Sequence, residues 1–215
     1  MVAGPLPLFL LRTVLFPHMP MSLHVFEERY QEMMRDSLDA GTSFGVVAIR
    51  DGKEVGGEAV PRGVGTLARI VHVERLPDGR MNLLITGASR FRVGRRVDGK
   101  AYARAEVEYL EEESEGVPDH LVASLQTTFK SYLRALRQVA RGYADLPDLP
   151  SGPEALSYLV ATTLETSVDA RQQLLEAADT RDRIELELKI LRREEDLLSR
   201  KVLPSAVLPN SFSLN

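Results

Sequence analysis

Residues 64–97, VGTLARIVHVERLPDGRMNLLITGASRFRVGRRV, decide the architecture. Two arms rich in β-branched and apolar residues, Val64 to Leu76 and Met81 to Val97, flank Pro77-Asp78-Gly79-Arg80. Proline presets the first turn dihedral and glycine accepts positive φ, so the stretch predicts a hairpin. Gly87 and Gly94 interrupt the second arm, and glycine inside a strand pattern marks bulges or sharp bends, as a small curled barrel requires. In this arm Arg90 and Arg92 share one face and Phe91 and Val93 the other, so the arginines are expected on a solvated side.

Upstream, Leu6 to Leu11 and Val14 to Phe16 read as short extended pieces, because Pro5, Pro7 and Pro17 hold the backbone away from helix. Phe44 to Ile49 reads as a buried strand and Ala101 to Leu110 as one more. A single helix is embedded among them. Phe26, Tyr30, Met33, Met34 and Leu38 fall on one helical face, with Glu27, Glu28, Gln31, Glu32 and Arg35 largely on the other, and Gly41 ends the pattern.

Downstream of Glu111 to Pro118 the texture turns helical. Leu121, Leu125, Phe129, Tyr132, Leu136, Val139 and Tyr143 form one long stripe, broken before Pro147 and Pro150. Ser151 with Glu154 has the capping-box spacing and opens a helix through Leu156, Leu159, Val160 and Leu164. A short helix around Gln172 to Ala177 follows, then a long one from Arg181 to Val202, stopped by Pro204. The expectation is an α+β protein: a curled, β-rich pseudo-barrel with an embedded helix over 1–116, a helical bundle over 117–203, and a flexible tail over 204–215.

Composition sets limits. In 215 residues, 44% hydrophobic and 27% charged residues are the balance of a globular chain, not of a disordered tail. With no cysteine there is no disulfide framework, thiol nucleophile or cysteine-ligated metal. The net charge of −4 is spread along the chain, which disfavours a phosphate-binding domain. The apolar start lacks a basic residue before it and carries Pro5, Pro7 and Arg12, so it does not read as a secretory signal. No stretch is long enough to span a bilayer, and the expected localisation is cytoplasmic.

Chemistry-bearing residues do not assemble into a site. His18, His24, His72 and His120 lack metal-ligand spacing, and no Gly-x-Ser-x-Gly elbow is present, so no catalytic residue, metal or cofactor is expected. The basic run Arg90, Arg92, Arg95, Arg96 and Lys100 is the one feature that suits nucleic acid, and otherwise reads as a solvated strand face. Glu111, Glu112, Glu113 and Glu115 read as a solvated junction. Met19, Met21, Met33 and Met34 read as core filling beneath the helix or, where exposed, as an adaptable apolar groove. In the last helix Ile184, Leu188, Leu191, Leu198 and Val202 form one stripe. Leu186, Ile190 and Leu197 form a second, which suits the β part or a homodimer contact.

Several strings run in order along the chain: Leu6-Pro7-Leu8-Phe9 with Val14-Leu15-Phe16-Pro17-His18-Met19, then His24-Val25-Phe26-Glu27 with Arg29-Tyr30, and Phe44-Gly45-Val46-Val47. Val64-Gly65-Thr66-Leu67-Ala68-Arg69-Ile70, Leu76-Pro77-Asp78-Gly79-Arg80 and Gly87-Ala88-Ser89-Arg90-Phe91-Arg92-Val93 follow. In the helical part come Leu156-Ser157-Tyr158-Leu159, Gln173-Leu174-Leu175-Glu176 and the segment from Arg181 to Leu186. Taken in this order they resemble the LON substrate-binding domain family, found at the N-terminus of Lon proteases, in cereblon-like proteins and as free-standing bacterial proteins.

The resemblance implies a PUA-like β domain followed by a bundle, and a role in recognising protein substrates or partners. A Lon protease also needs a P-loop and a Ser-Lys peptidase. Gly52-Lys53-Glu54 and Gly99-Lys100-Ala101 lack P-loop spacing and hydroxyl, and the chain ends where the family's ATPase would begin. The expectation is therefore a non-catalytic, Lon-like module that binds exposed or unfolded protein segments or serves as a proteolysis adaptor. Its expected partner surface combines Glu28, Arg29 and Glu32 on the first helix with Met19 and Met21. Nucleic-acid binding through Arg90 to Lys100 is the alternative, distinguished by steep weakening in salt.

Overall fold

The computed structural model describes residues 4–56, 58–140 and 149–202, and within them the elements run β1 (Leu6–Leu11), β2 (Pro20–Val25), α1 (Glu28–Asp39), β3 (Phe44–Gly52), β4 (Ala59–Pro61), β5 (Val64–Arg75), β6 (Met81–Arg96), β7 (Ala103–Tyr109), α2 (Asp119–Ala140), α3 (Pro153–Thr163), α4 (Val168–Glu176) and α5 (Thr180–Val202). The 215-residue chain is thus an α+β protein, as its two textures predict. None of the described helices is long and apolar enough to cross a membrane.

The β5–β6 hairpin forms around the expected turn. Leu76 N–H donates to Arg80 O (2.9 Å), Gly79 N–H to Leu76 O (3.0 Å), and Gly79 takes φ 85°, which a side chain would resist. The 16-residue β6 is long enough to serve three neighbours. It pairs with β5 along its length, with β2 over Met81 to Thr86 and with β7 over Phe91 to Arg96. β7 pairs with β1, and β1 pairs in parallel with β3, which returns to β5 and closes a barrel.

Register shifts fall where the sequence predicts bends, between Thr66 and Ala68 opposite Gly87 and between Val93 and Arg96 around Gly94. Gly87 is required there for space. A Cβ on it would lie 2.0 Å from the Phe16 carbonyl oxygen, which packs against this bend. Gly87→Ala is therefore expected to destabilise the fold by about 2 kcal/mol through overpacking. A thermal midpoint unchanged from wild type would remove that reading of the bend.

Three expectations about the N-terminal part need correction. Val14, Leu15 and Phe16 are buried but belong to no strand. Instead Thr66 Oγ1 donates to Leu15 O (2.6 Å), and the segment plugs the space between barrel and helices. β2 was not expected, although Met21, Leu23 and Val25 alternate with Ser22 and His24. Third, α1 begins at Glu28, with Glu27 as its N-cap residue, so Phe26 lies outside the helix and is exposed. Tyr30, Met33 and Met34 of α1 do face the core, packed on Phe9, Leu23, Phe44 and Ile85.

The helices share one core with the β part. Val14, Phe16, Ala48 and Val64 sit in the same cluster as Leu125, Phe129, Tyr132, Leu156, Ile184 and Leu188. The Ser151 capping box does not form: Gly152 occupies the N-cap with Pro153 behind it, and Glu154 lies 4.0 Å from His18 Nε2 instead. α4 starts earlier than its sequence pattern suggested, capped by Ser167 Oγ, which accepts from Ala170 N–H (3.2 Å). In α5 both apolar stripes are used within the bundle. Leu186 and Ile190 pack against the core beside Ile184 and Leu191, leaving Leu197 of the second stripe exposed. Tyr143 and the 204–215 tail lie outside the described residues.

Candidate functional site

Because β2 and β7 both pair with the same side of β6, β2 occupies the place where a continuation of β7 would lie. β7 accompanies β1 only from Leu6 to Leu8. Beyond Leu8 a gap opens between β1 and β2. Among the described residues β6 is the only strand paired with β2, so its far edge is open. The parity of that edge follows from two bonds: Leu76 N–H donates to Arg80 O (2.9 Å), so Asn82 and Leu84 bond β5 while Met81, Leu83 and Ile85 turn toward β2, and Gly87 N–H donates to Met19 O (3.0 Å) in the same phase. In an antiparallel ladder bonded and unbonded pairs alternate, so Met21, Leu23 and Val25 bond β6 while the backbone groups of Ser22 and His24 point into the gap. Pro20 has the same parity, and a proline is tolerated there because that N–H is not needed by β6.

The opposite wall is closed by a side chain. Tyr30 of α1 accepts from Leu10 N–H (3.2 Å) and donates to Leu10 O (3.4 Å), satisfying the backbone a further strand would have paired. Burial pushes the Tyr30 hydroxyl pKa up, so its proton stays in place. Its ring stacks on Phe9 (centroids 3.9 Å apart, 9° between planes), and the Arg29 guanidinium lies 4.5 Å above it. Arg29 also donates to the Glu27 carboxylate and to Glu54 O (2.9 Å), and Glu27 accepts from Gly56 N–H (3.1 Å). These bonds pin the loop after β3 to the start of α1.

The result is a cleft of about 210 Å³ with Phe9, Leu11, Leu23 and Tyr30 inside and Phe26 and Val55 at its rim. Phe26 is 48% and Val55 55% exposed, and both line this one opening. On the outer face of the β5–β6–β2 ribbon a second hollow of about 430 Å³ continues from it through Ser22 and His24 to Leu84. There His24 Nδ1 donates to Asn82 Oδ1 (2.7 Å), and Asn82 Nδ2 donates to Glu74 Oε2 (2.8 Å). The chemistry on offer is an unpaired strand edge, apolar area and carboxylates. Among the described residues no group of three or more His, Asp or Glu is placed to hold a metal.

The residues expected to form a partner surface are not gathered in one place. Met21 packs against the core beneath α1, with Met33 and Met34. Met19 lies at the barrel–helix junction, where Arg171 Nη2 approaches its sulfur at 3.8 Å, and it lines a hollow there with Tyr158 and Leu159. Glu28 is exposed in the first turn of α1, Arg29 serves the cleft as described, and Glu32 pairs with Lys100 (3.2 Å). The cleft residues that sequence reasoning missed are Ser22, Leu23, Val55 and Leu84. Period-two alternation from Met21 to Val25 was the available signal.

Within the basic run Arg92, Arg95 and Arg96 are exposed, as a solvated face requires, and Arg90 is the exception. Arg90 does lie on the side of β6 opposite Phe91, but the helices roof that side, and Arg90 is 1% exposed. Its Nε donates to Glu112 Oε1 (2.5 Å) and its Nη1 to Leu175 O (2.9 Å) and Ala177 O (2.6 Å) at the end of α4. Glu112, expected to be solvated, is also held by the Tyr158 hydroxyl and by Arg183 Nη1 (3.4 Å). Arg183 stacks 3.9 Å over Tyr158 and donates to Ser157 Oγ (2.8 Å), which donates to Glu187 Oε1 (2.8 Å). The exposed members of the run have acidic partners: Arg92 with Glu108 (2.7 Å), Arg95 with Glu106 (2.5 Å), Arg96 with Asp98 (3.2 Å) and Lys100 with Asp36 (2.8 Å).

Residues 5–193 match the family model of the ATP-dependent protease La (LON) substrate-binding domain. Among curated proteins, the Lon protease of Anaeromyxobacter dehalogenans is 28% identical over 209 residues, covering 92% of this chain and 24% of that protein. The chain thus spans about a quarter of the length of this relative. Among solved structures, the Lon N-terminal domain protein from Xanthomonas campestris superposes with a TM-score of 0.68 at 28% identity, over 86% of this chain and 98% of that one. The N-terminal domain of Mycobacterium avium complex Lon protease shares the fold, with a TM-score of 0.65 at 16% identity over 88% and 98%.

Proposed function

The chain belongs to the LON substrate-binding domain family, and from that premise we propose that it recognises exposed or unfolded segments of other proteins, or delivers them as a proteolysis adaptor, without breaking bonds itself. The observation that carries this reading is the cleft between β1 and β2, where Phe26 and Val55 stand exposed beside an unpaired strand edge. An apolar rim of this kind gains buried area from many sequences, while an open edge is indifferent to side-chain identity. Glu28 and Arg29 at the start of α1 belong to this surface. Met19, Met21 and Glu32 of the sequence-derived surface are outside the proposed contact. The cytoplasmic setting expected from the sequence is part of the same proposal.

The test uses reduced, carboxymethylated α-lactalbumin as an unfolded client and its native form as control. The wild-type chain is expected to bind the unfolded form alone, with little weakening in added salt. Phe26→Ser is expected to weaken binding by about tenfold, the loss of one large apolar contact, at unchanged thermal stability. Equal binding of native and unfolded client, or none of either, sinks the proposal.

A further inference from the structure

We propose that the ligand is taken up as an added β-strand on the free edge of β2, and that the segment so recognised is extended, apolar at alternate positions and basic at the end that passes Glu54. This inference rests on the recognition role proposed above and specifies its mode.

The backbone argues for a strand. Ser22 and His24 each turn an N–H and a carbonyl toward the gap, and across it the Tyr30 hydroxyl has already satisfied Leu10. The vacancy is therefore one-sided: an incoming chain finds donors and acceptors on β2 and apolar side chains on the β1 side. Strand addition couples main-chain bonds to pockets for alternate side chains. One set would enter the cleft above Phe9, Leu23 and Tyr30, and the other would lie outward beside His24 and Leu84. A cleft of about 210 Å³ is below the ~300–1,000 Å³ of small-molecule sites and suits a few side chains.

Charge identifies one end. The carboxylates lining the cleft and the adjoining hollow are Glu27, Glu54 and Glu74, with no Lys or Arg among the lining side chains. Glu27 is paired with Arg29, and Glu74 lies two strands from the free edge, bonded to Asn82, whereas Glu54 lines the cleft itself beside Val55, past the C-terminal end of β2. A lysine or arginine at that end of a bound segment complements it. The segment 203–215 of this chain is a poor occupant by the same criteria. It contains no basic residue, and Pro204 and Pro209 interrupt strand pairing.

The probe is a capped peptide of alternating valine and threonine with two lysines at each end, made also with glutamates for lysines and as a set of single backbone N-methyl derivatives. Its affinity for the wild-type chain is read by fluorescence anisotropy. N-methylation is expected to weaken binding by about tenfold at every second residue and to leave the intervening positions unchanged, since each lost main-chain bond is worth roughly that factor. The glutamate version is expected to bind about tenfold more weakly. Ser22→Pro removes an N–H that faces the gap and leaves the β6 ladder intact, so it should weaken the lysine peptide at unchanged thermal stability.

A flat N-methyl profile alongside binding of the unfolded client overturns strand addition while the recognition role survives. Failure to bind either the peptide or the client overturns both. A wild-type chain that sediments as a dimer dispersed by Ser22→Pro assigns the edge to a second copy and overturns the proposal.

Discussion

Arg90→Ala is expected to lower the free energy of unfolding by about 3 kcal/mol, because it strips a fully desolvated partner from Glu112 and from the carbonyls of Leu175 and Ala177 together. The cost is not larger because Glu112 keeps bonds from Tyr158 and Arg183 and is itself partly hydrated. For a chain of this size the loss corresponds to a fall in thermal midpoint of roughly 6–12 °C. Arg92→Ala, two residues along the same face, removes only an exposed ion pair and should shift stability by less than about 1 kcal/mol. Equal effects of the two substitutions in urea titrations would show that the helical roof over Arg90 does not hold in solution.

Stability should also fall as the pH rises, through Glu187. This carboxyl is fully buried on α5, and desolvation raises its pKa well above the ordinary value against the opposing pull of Ser157 and Arg183. A carboxyl whose pKa is higher folded than unfolded keeps its proton in the native state over an interval where the unfolded chain has released it. Its contribution is complete below the unfolded pKa of about 4.3 and is lost progressively as pH climbs toward the folded value. Around it, Tyr158 is held neutral by burial, while Arg183 and Glu112 carry the charges that face each other. Glu187→Gln preserves the shape and the Ser157 contact without the ionisable proton. Denaturant titrations between about pH 5 and about pH 8 should show wild type losing stability relative to this variant. Parallel profiles would mean that Glu187 titrates normally.

What the sequence revealed and what it hid divide along a physical line. The β5–β6 turn was legible because Pro77 and Gly79 fix its dihedrals locally, and the Gly87 bend because no other residue fits beneath Phe16 O. The stripes of α2 and α5 were legible because their period repeats for many turns. Arg90 was misjudged although its parity was right. Alternation says which face of a strand a side chain occupies, and nothing about whether helices from 85 residues away cover that face. Phe26 was misplaced because its spacing to Tyr30 fits a helix as well as it fits a strand end. β2, only six residues long, was masked by Pro20 at its start. The binding cleft itself was not legible, since it arises where β7 and β2 divide the length of β6, and no local pattern encodes which edge a sheet leaves empty. His24 was visible among the histidines, Phe26 and Tyr30 on a helical stripe, and all three in the family likeness, but none of these patterns pointed to a cleft.

The plug made by Val14, Leu15 and Phe16 has a consequence for how such chains can be recombined. These N-terminal residues lie beneath helices from the far end of the sequence, with Leu15 O bonded to Thr66 and Phe16 under the Arg171 guanidinium at 5.0 Å. A chimaera joining this barrel to another relative's bundle at the 111–118 connection would therefore mismatch at three remote places, the plug, Arg90 and Gln172, which donates to Val64 O (3.0 Å). The halves are separable in texture but not as interchangeable parts.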